Sequence, residues 1–284
     1  MGLLGLLLSA YFILLLVRAL VPDTGQMAFN QPYRMVVKLT EPVISFSARF
    51  LPARFRRLAA LPAIGFLILL HGVLFTREAG PGAGEFTWGF IRWSFLTGRP
   101  FWGLGAGLAH YLVLSYRLFF FLLLVVLISP GAAPDQVSRL IRSLLQPLFS
   151  LARDRRAAAA ILPLLFTAAM TVLWRLYRAA GWLEGEGTVL GRALVNSLVL
   201  PLQLATVIVY LIFFRALLSW FEAARRSTGP SVWLELFVEP FLRPFRRLNL
   251  IWGTIDLTPL AAIFAILIGR RILETSLFQV YRAL

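Results

Sequence analysis

Three times along the chain an apolar run passes into a basic loop carrying Glu-Pro or Gln-Pro, and then into a second apolar run that begins near a proline. The marks are Glu41-Pro42 with Pro62, Gln146-Pro147 with Pro163, and Glu239-Pro240 with Pro259. A unit repeated in this way places six apolar runs under one architectural plan. They are Leu3 to Val21, Leu58 to Phe75, Trp102 to Ser129, Ala157 to Trp174, Ala193 to Phe221, and Asp256 to Ile268 with its flanks. Crossing the hydrocarbon of a bilayer takes about 20 largely apolar residues per helix. The fourth run is rich in alanine and the sixth is short, so these two are the least sharply bounded.

Of the 284 residues, 59% are hydrophobic and 14% charged, where a soluble domain carries about 25% charged residues. Lipid around the helices accounts for that deficit. A soluble bundle would need polar outer faces that most of these runs lack. The first run has no positively charged leader and holds its only arginine at Arg18, which predicts a retained helix in place of a cleaved signal. With no cysteine in the chain, disulfides, thiolate catalysis and Cys-ligated metal are excluded.

A formal net charge of +15 would point to nucleic acid in a soluble protein, but its placement points to a membrane face. The three loops inside the units hold 16 basic and 7 acidic residues, and the two loops between units hold 6 and 4. Positive loops mark the cytoplasmic side. The expected location is the cell inner membrane or plasma membrane, multi-pass, with both termini outside the cytoplasm. The basic face would attract anionic lipid headgroups, and no nucleic-acid partner is expected.

Each unit reads as a helical hairpin with a short helix in its loop. The short segments are Tyr33 to Phe50, Val137 to Phe149 and Ser231 to Pro240, with apolar residues spaced for one helical face, as suits a helix lying along a membrane surface. Pro42 removes a backbone donor and crowds the preceding turn, so a kink or break is expected there. Basic tails follow, such as Arg54-Phe55-Arg56-Arg57, whose arginine stems would lie along lipid while their guanidinium groups reach headgroups. Residues 76–101 read as a flexible glycine-rich turn and an aromatic interface segment, and residues 178–192 as a connector. The fold class expected is all-α and polytopic: about six transmembrane helices in three repeated hairpins with interfacial amphipathic helices. The boundaries are 1–80, 81–180 with its preceding connector, and 181–284.

In the third unit, Arg215-Ala216-Leu217-Leu218-Ser219-Trp220, then Glu239-Pro240-Phe241-Leu242-Arg243-Pro244-Phe245-Arg246-Arg247, then Ile255-Asp256-Leu257-Thr258-Pro259 follow one another in order. Together they resemble the signature of the YggT family of small integral membrane proteins, over about residues 205–275. The first unit matches in part, through Arg18-Ala19-Leu20, Thr40-Glu41-Pro42 and Arg56-Arg57, and lacks the Ser-Trp and Asp-Leu-Thr-Pro elements. The second departs further, with Gln146 where the others have glutamate. The resemblance implies repeated hairpins. Its functional associations are diverse (envelope or osmotic physiology, cell division, complex or cofactor assembly in plastids), so it transfers no single activity.

The structural or interaction candidates are Arg18, Glu41, Pro42, Arg215, Ser219, Trp220, Glu239, Pro240, Arg243, Pro244, Arg246, Arg247, Asp256 and Pro259. Charged groups at membrane depth are costly and tend to pair or face polar cavities, so Arg215 with Glu239, and Arg18 with Glu41, are read as ties between a spanning helix and a surface helix. Simple snorkelling of the arginines is the plainer reading, and an ion or substrate site the sharper one. Asp256 before Leu257-Thr258-Pro259 suits a helix N-terminus; a polar site between repeats is the other reading. His71 and His110 lack metal-ligand spacing, which favours packing roles. Gly103, Gly105 and Gly107 would permit close helix contact or merely accommodate a helix start. No nucleophile, base or metal constellation is visible and no cofactor is expected. The function expected is a noncatalytic membrane scaffold or assembly factor with lipid and membrane-protein partners and self-association. The competing expectation is a small transporter or channel linked to osmotic or ion balance.

Overall fold

The computed structural model describes residues 3–21, 27, 29–52, 58–78, 84–96, 101–128, 136–152, 154–184, 190–222, 230–252 and 255–284. The basic tail Arg54, Arg56 and Arg57 lies outside them, as does most of the Gly80 to Gly84 turn. Within them the chain is predominantly helical, in the order α1 (Leu3–Leu20), α2 (Gln31–Arg49), α3 (Ala60–Glu78), β1 (Gly84–Trp88), β2 (Ile91–Phe95), α4 (Trp102–Ile128), α5 (Gln136–Leu151), α6 (Arg155–Ala179), β3 (Leu183–Glu184), α7 (Leu190–Glu222), α8 (Pro230–Arg246), β4 (Ile251–Trp252), β5 (Ile255–Asp256) and α9 (Thr258–Ala283).

Four helices, α1, α4, α6 and α7, are long and apolar enough to cross a membrane, and 22% to 39% of each apolar window is buried inside the chain. The rest faces outward. Phe66, Leu164, Val172, Phe214 and Phe264 are each more than half exposed, an outer surface that suits lipid. By the length and composition of its helices this is a multi-pass membrane protein. A shorter apolar helix, Ala60–Leu74, lies within α3, and α9 is interrupted by Arg270, Arg271 and Glu274.

Close packing holds the long helices together. The α3–α4 contact is built on backbone: a Cβ at Gly72 would stand 2.9 Å from the Gly103 carbonyl oxygen, and one at Gly107 would stand 3.0 Å from that of Ile68. Small residues here let the two helices approach, as they do between membrane helices generally. On the other side of α3, Phe12 and Leu15 of α1 pack with Ala63, Leu67 and Tyr111, and the rings of Phe12 and Tyr111 stack at 4.2 Å. At the third unit, Ile208 and Ile212 of α7, Val238 and Leu242 of α8, and Ala262 of α9 form one cluster.

The all-α expectation needs a correction, because residues 84–95 form an antiparallel hairpin. β1 pairs with β2 from Gly84↔Phe95 to Trp88↔Ile91, and β3 adds to β2 through Ser94↔Glu184 and Phe95↔Leu183. Two residues, Gly89 and Phe90, close the turn. Gly89 has φ +60, and a glycine of positive φ at the first central position is what a tight two-residue hairpin turn of this hand requires. Trp88, Trp93 and Phe95 are buried with Trp102, Tyr116, Phe166, Met170 and Tyr177. The aromatics read as a membrane-interface segment therefore form the core under a small sheet, placed where α3 and α6 end and α4 and α7 begin.

The prolines break no helix. Pro42, Pro147, Pro163, Pro201, Pro240 and Pro244 all lie inside helices. Of the kink or break expected at Glu41-Pro42, the break does not occur: α2 runs as one helix to Arg49. Local hydroxyl bonds accompany it, from Thr40 Oγ to the Val36 carbonyl at 2.8 Å and from Ser45 Oγ to the Pro42 carbonyl at 3.0 Å. Pro163 is also deeper than expected, since α6 starts at Arg155 and is capped by Asp154, whose Oδ1 accepts from Ala157 N at 2.6 Å.

Candidate interfacial site

Each of α2, α5 and α8 is amphiphilic in sequence, and burial is one-sided in α2 and α5, while in α8 the described buried residues are Val238, Pro240 and Leu242. In α5 the buried residues are Ile141, Leu144, Leu145 and Leu148, while Arg142, Gln146, Pro147 and Ser150 are exposed. The three- and four-residue steps put the buried set on one face. In α2 the fully buried residues are Tyr33, Thr40 and Ser47, seven apart, so that face also runs straight along the helix. Asn30 starts it, its Oδ1 accepting from Tyr33 N at 3.1 Å.

Tyr33 is the hinge pin between α1 and α2. Its hydroxyl donates to the Val21 carbonyl at 2.8 Å, satisfying an acceptor just past the end of α1, and accepts from Arg18 Nη1 at 2.9 Å. The Arg18 guanidinium also lies over the Tyr33 ring at 5.9 Å, a distance at which a cation is attracted to the ring face. The other end of the guanidinium, Nη2, stands 3.7 Å from Glu41 Oε2. Arg18 is mostly buried and Glu41 half-exposed, so the tie between the first spanning helix and its surface helix runs through a phenol first and a carboxylate second. The tyrosine was not among the residues singled out in the sequence. Its signal there is the seven-residue spacing with Thr40 and Ser47.

In the third unit, Glu239 meets Arg246 Nη2 at 2.8 Å. That arginine comes from α8 itself; Arg215 of α7, the partner expected from the sequence, has contacts of its own. Pro240 is buried, and Arg243, Pro244 and Arg247 are exposed. Arg243 and Arg246 sit in the last turn of α8, where a cation is stabilised by the helix dipole. Ser219 and Trp220 occupy the end of α7, and their side chains lie outside the described residues. Asp256 closes a short hairpin, pairing with Ile251, and its Oδ1 accepts from Thr258 N at 2.8 Å. With Pro259 at the first turn of α9, the Asp-Leu-Thr-Pro element is a helix start, with its carboxylate on a free backbone N–H.

Polar residues elsewhere are tied to one another. His71 Nδ1 lies 2.9 Å from the Tyr111 hydroxyl, His110 Nε2 lies 3.1 Å from Ser9 Oγ, and the two imidazoles meet edge to face at 4.8 Å. Sequence spacing gave no sign that these histidines touch; the α3–α4 contact brings them together. Asn196 is fully buried and its Oδ1 accepts from Phe90 N at 2.6 Å, which docks the β1–β2 turn on α7. Arg117 of α4 donates to Gln203 of α7, and Arg270 of α9 donates to Thr206 of α7 and pairs with Glu274 at 2.8 Å. Among the described residues no three His, Cys, Asp or Glu side chains are grouped to hold a metal.

The CCB3/YggT family model matches residues 195–277, which cover most of α7, all of α8 and most of α9. No curated protein and no solved structure matches the chain.

Proposed function

We propose that this chain is a noncatalytic scaffold or assembly factor of the YggT type in the cell inner membrane or plasma membrane. Its six long helices span as three hairpins, 1–80, 81–180 and 181–284, the first two being divergent copies of the matched third. The observation that supports this reading is the order of elements: long helix, short helix, long helix, three times over. In this arrangement α2, α5 and α8 lie at one end of the bundle, where the charge excess predicts the cytoplasm. There they lie in the plane of the interface as amphipathic helices, with both termini on the opposite side. Arg18 with Tyr33 and Glu41 sets the tilt of α2, and the basic residues on α2 and α8 contact anionic headgroups and membrane-protein partners, including further copies of the chain.

A photo-crosslinking residue in place of Arg243 or Arg247 in the full chain, in living cells, tests this. Discrete adducts with a membrane protein or with a second copy are expected, lost when the probe is moved to buried Leu242. Adducts to lipid alone would remove the scaffold role.

A second reading, a small transporter or channel, is favoured by Arg117, Gln203, Thr206 and Arg270, which bring polar groups to the middle of long helices. Intramembrane arginines are by default candidates for ion or substrate pathways. Ion flux from liposomes containing the purified chain, abolished by Gln203→Leu, would establish it; flux equal to that of empty liposomes would eliminate it.

A further inference from the structure

Among the three surface helices, α2 has an arrangement that α5 does not share. Its residues sort into three stripes, one stepping by seven positions and two by three or four. Tyr33, Thr40 and Ser47 face the bundle. Gln31, Arg34, Lys38, Glu41, Ser45 and Arg49 form an exposed polar stripe, and Met35, Leu39, Pro42, Phe46 and Phe50 an exposed apolar one. The apolar exposure is large: 64% at Met35, 57% at Leu39, 59% at Phe46 and 74% at Phe50. The outward face of α5, in contrast, carries Arg142, Gln146, Pro147 and Ser150, with an exposed large aliphatic side chain only at its last residue, Leu151, among the described residues.

Where the polar and apolar stripes meet there is an open groove of about 770 Å³. Its lining includes Arg34, Lys38, Glu41 and Ser45 on one side and Met35 and Pro42 on the other. Neither Arg34 nor Lys38 has an ion pair among the described residues. Glu41, the one acid of the lining, is shared with Arg18 at 3.7 Å. The groove is thus cationic beside a hydrocarbon strip, with the two cations one helical turn apart.

The geometry points to a bound anionic phospholipid on α2, its phosphate held between Arg34 and Lys38 and its acyl chains laid over Met35, Pro42, Leu39 and Phe46. This rests on the in-plane placement of α2 proposed above. A free anion would satisfy the two cations but leave the apolar stripe uncovered, and an apolar partner helix would cover the stripe but leave the cations unmatched. A phospholipid answers both at the spacing observed. Pro42 contributes twice, as part of the apolar floor and by withholding the N–H that would bond the Lys38 carbonyl, which leaves an acceptor for a headgroup hydroxyl beside the two cations.

The test uses the full chain purified in mild detergent and offered dioleoyl phosphatidylglycerol or dioleoyl phosphatidylcholine, with retained lipid counted by native mass spectrometry. Phosphatidylglycerol is expected to be retained in preference. Each of Arg34→Gln and Lys38→Gln is expected to lower that retention by roughly fivefold, with an unchanged melting temperature, since neither side chain holds the fold together. Arg178→Gln in the last turn of α6, an exposed arginine outside the basic loops, serves as the matched control and should leave retention of this lipid in place. Equal retention of the two lipids, equal loss in the α6 control, or displacement by inorganic phosphate alone would each overturn the site. Carbonate extraction of the unmodified chain from native membranes separates the two levels: a chain that stays in the membrane but shows no lipid preference refutes the α2 site and leaves the membrane reading standing. Release into the wash refutes both.

Discussion

Asn196 and Gly89 form the most closely specified residue pair in the chain. A Cβ at Gly89 would lie 2.5 Å from Asn196 Oδ1, and the backbone there has φ +60. Gly89→Ala therefore meets both strain and collision, and a loss of about 1–3 kcal/mol is expected, read as a lowered melting temperature in detergent. Asn196→Leu removes the acceptor of the Phe90 N–H and should cost a comparable amount, about 1–3 kcal/mol, by stranding that donor in a buried turn. Tyr33→Phe tests the clamp at the opposite end. It removes the bonds to the Val21 carbonyl and to Arg18 and is expected to cost about 1–2 kcal/mol, more than Glu41→Gln, whose carboxylate is half-exposed and 3.7 Å from its partner. Equal effects of the two substitutions would mean that the ion pair, and not the phenol, secures α2. Arg18 and Glu41 were both legible in the sequence because charge at a helix end beside an apolar run is conspicuous. Tyr33 and Asn196 were harder to read: a tyrosine in an aromatic-rich chain and an asparagine in an apolar run acquire their roles only from carbonyls and amides that distant segments deliver.

At the scale of elements, α3 and α4 touch through backbone, and this contact is unforgiving. Gly72→Leu should force the helices apart, since even its Cβ would stand 2.9 Å from the Gly103 carbonyl oxygen; about 1–3 kcal/mol or more is expected from such overpacking. Gly65 on the same helix has nothing within 4 Å of an added Cβ, so Gly65→Ala should be neutral or stabilising by up to about 1 kcal/mol, the helix-propensity difference. Melting temperatures of the two variants in one detergent decide it. The glycine spacing after Trp102 was visible in the sequence, but its partner Gly72 was not, because a small-residue stripe does not say which helix it receives. The short helices α2, α5 and α8 were legible as helices for a plainer reason: apolar residues spaced three and four apart beside a proline and arginines leave few alternatives. The β1–β2–β3 sheet escaped for the opposite reason. Its third strand is Leu183–Glu184, two residues far along the chain, and Trp88 and Trp93 belong equally well to a bilayer interface when their pairing is unknown. Pro42 left a kink or a break open, and α2 continues through it, because a proline removes one i→i−4 hydrogen bond and leaves the rest of the ladder in place.

For the whole molecule, the testable quantity is orientation, and the chain is well suited to it because it has no cysteine of its own. Single substitutions Glu85→Cys in the sheet and Ser150→Cys in α5 place an exposed thiol at each end of the bundle. A membrane-impermeant maleimide is expected to label Glu85→Cys in intact cells and Ser150→Cys only after permeabilisation. The reverse pattern would invert the proposed topology and put the basic helices outside. The apolar runs made a predominantly helical, multi-pass chain legible in the sequence, and the helices agree with that; the packing of the helices depends on contacts such as Arg117 with Gln203 and Arg270 with Thr206, which no periodicity announces.

The pairing of Arg270 with Thr206 and Glu274 bears on how the chain is made. In the proposed arrangement α9 crosses the bilayer carrying Arg270 and Arg271 near its middle, each adding about 2.5–3.5 kcal/mol to the cost of entering lipid from the ribosome-bound translocation channel. Presented alone, such a segment would partition poorly. With α7 already inserted, Thr206 supplies a polar contact at the required depth, so biogenesis of the final hairpin is sequential, and the earlier segment acts as an intramolecular chaperone for the later one.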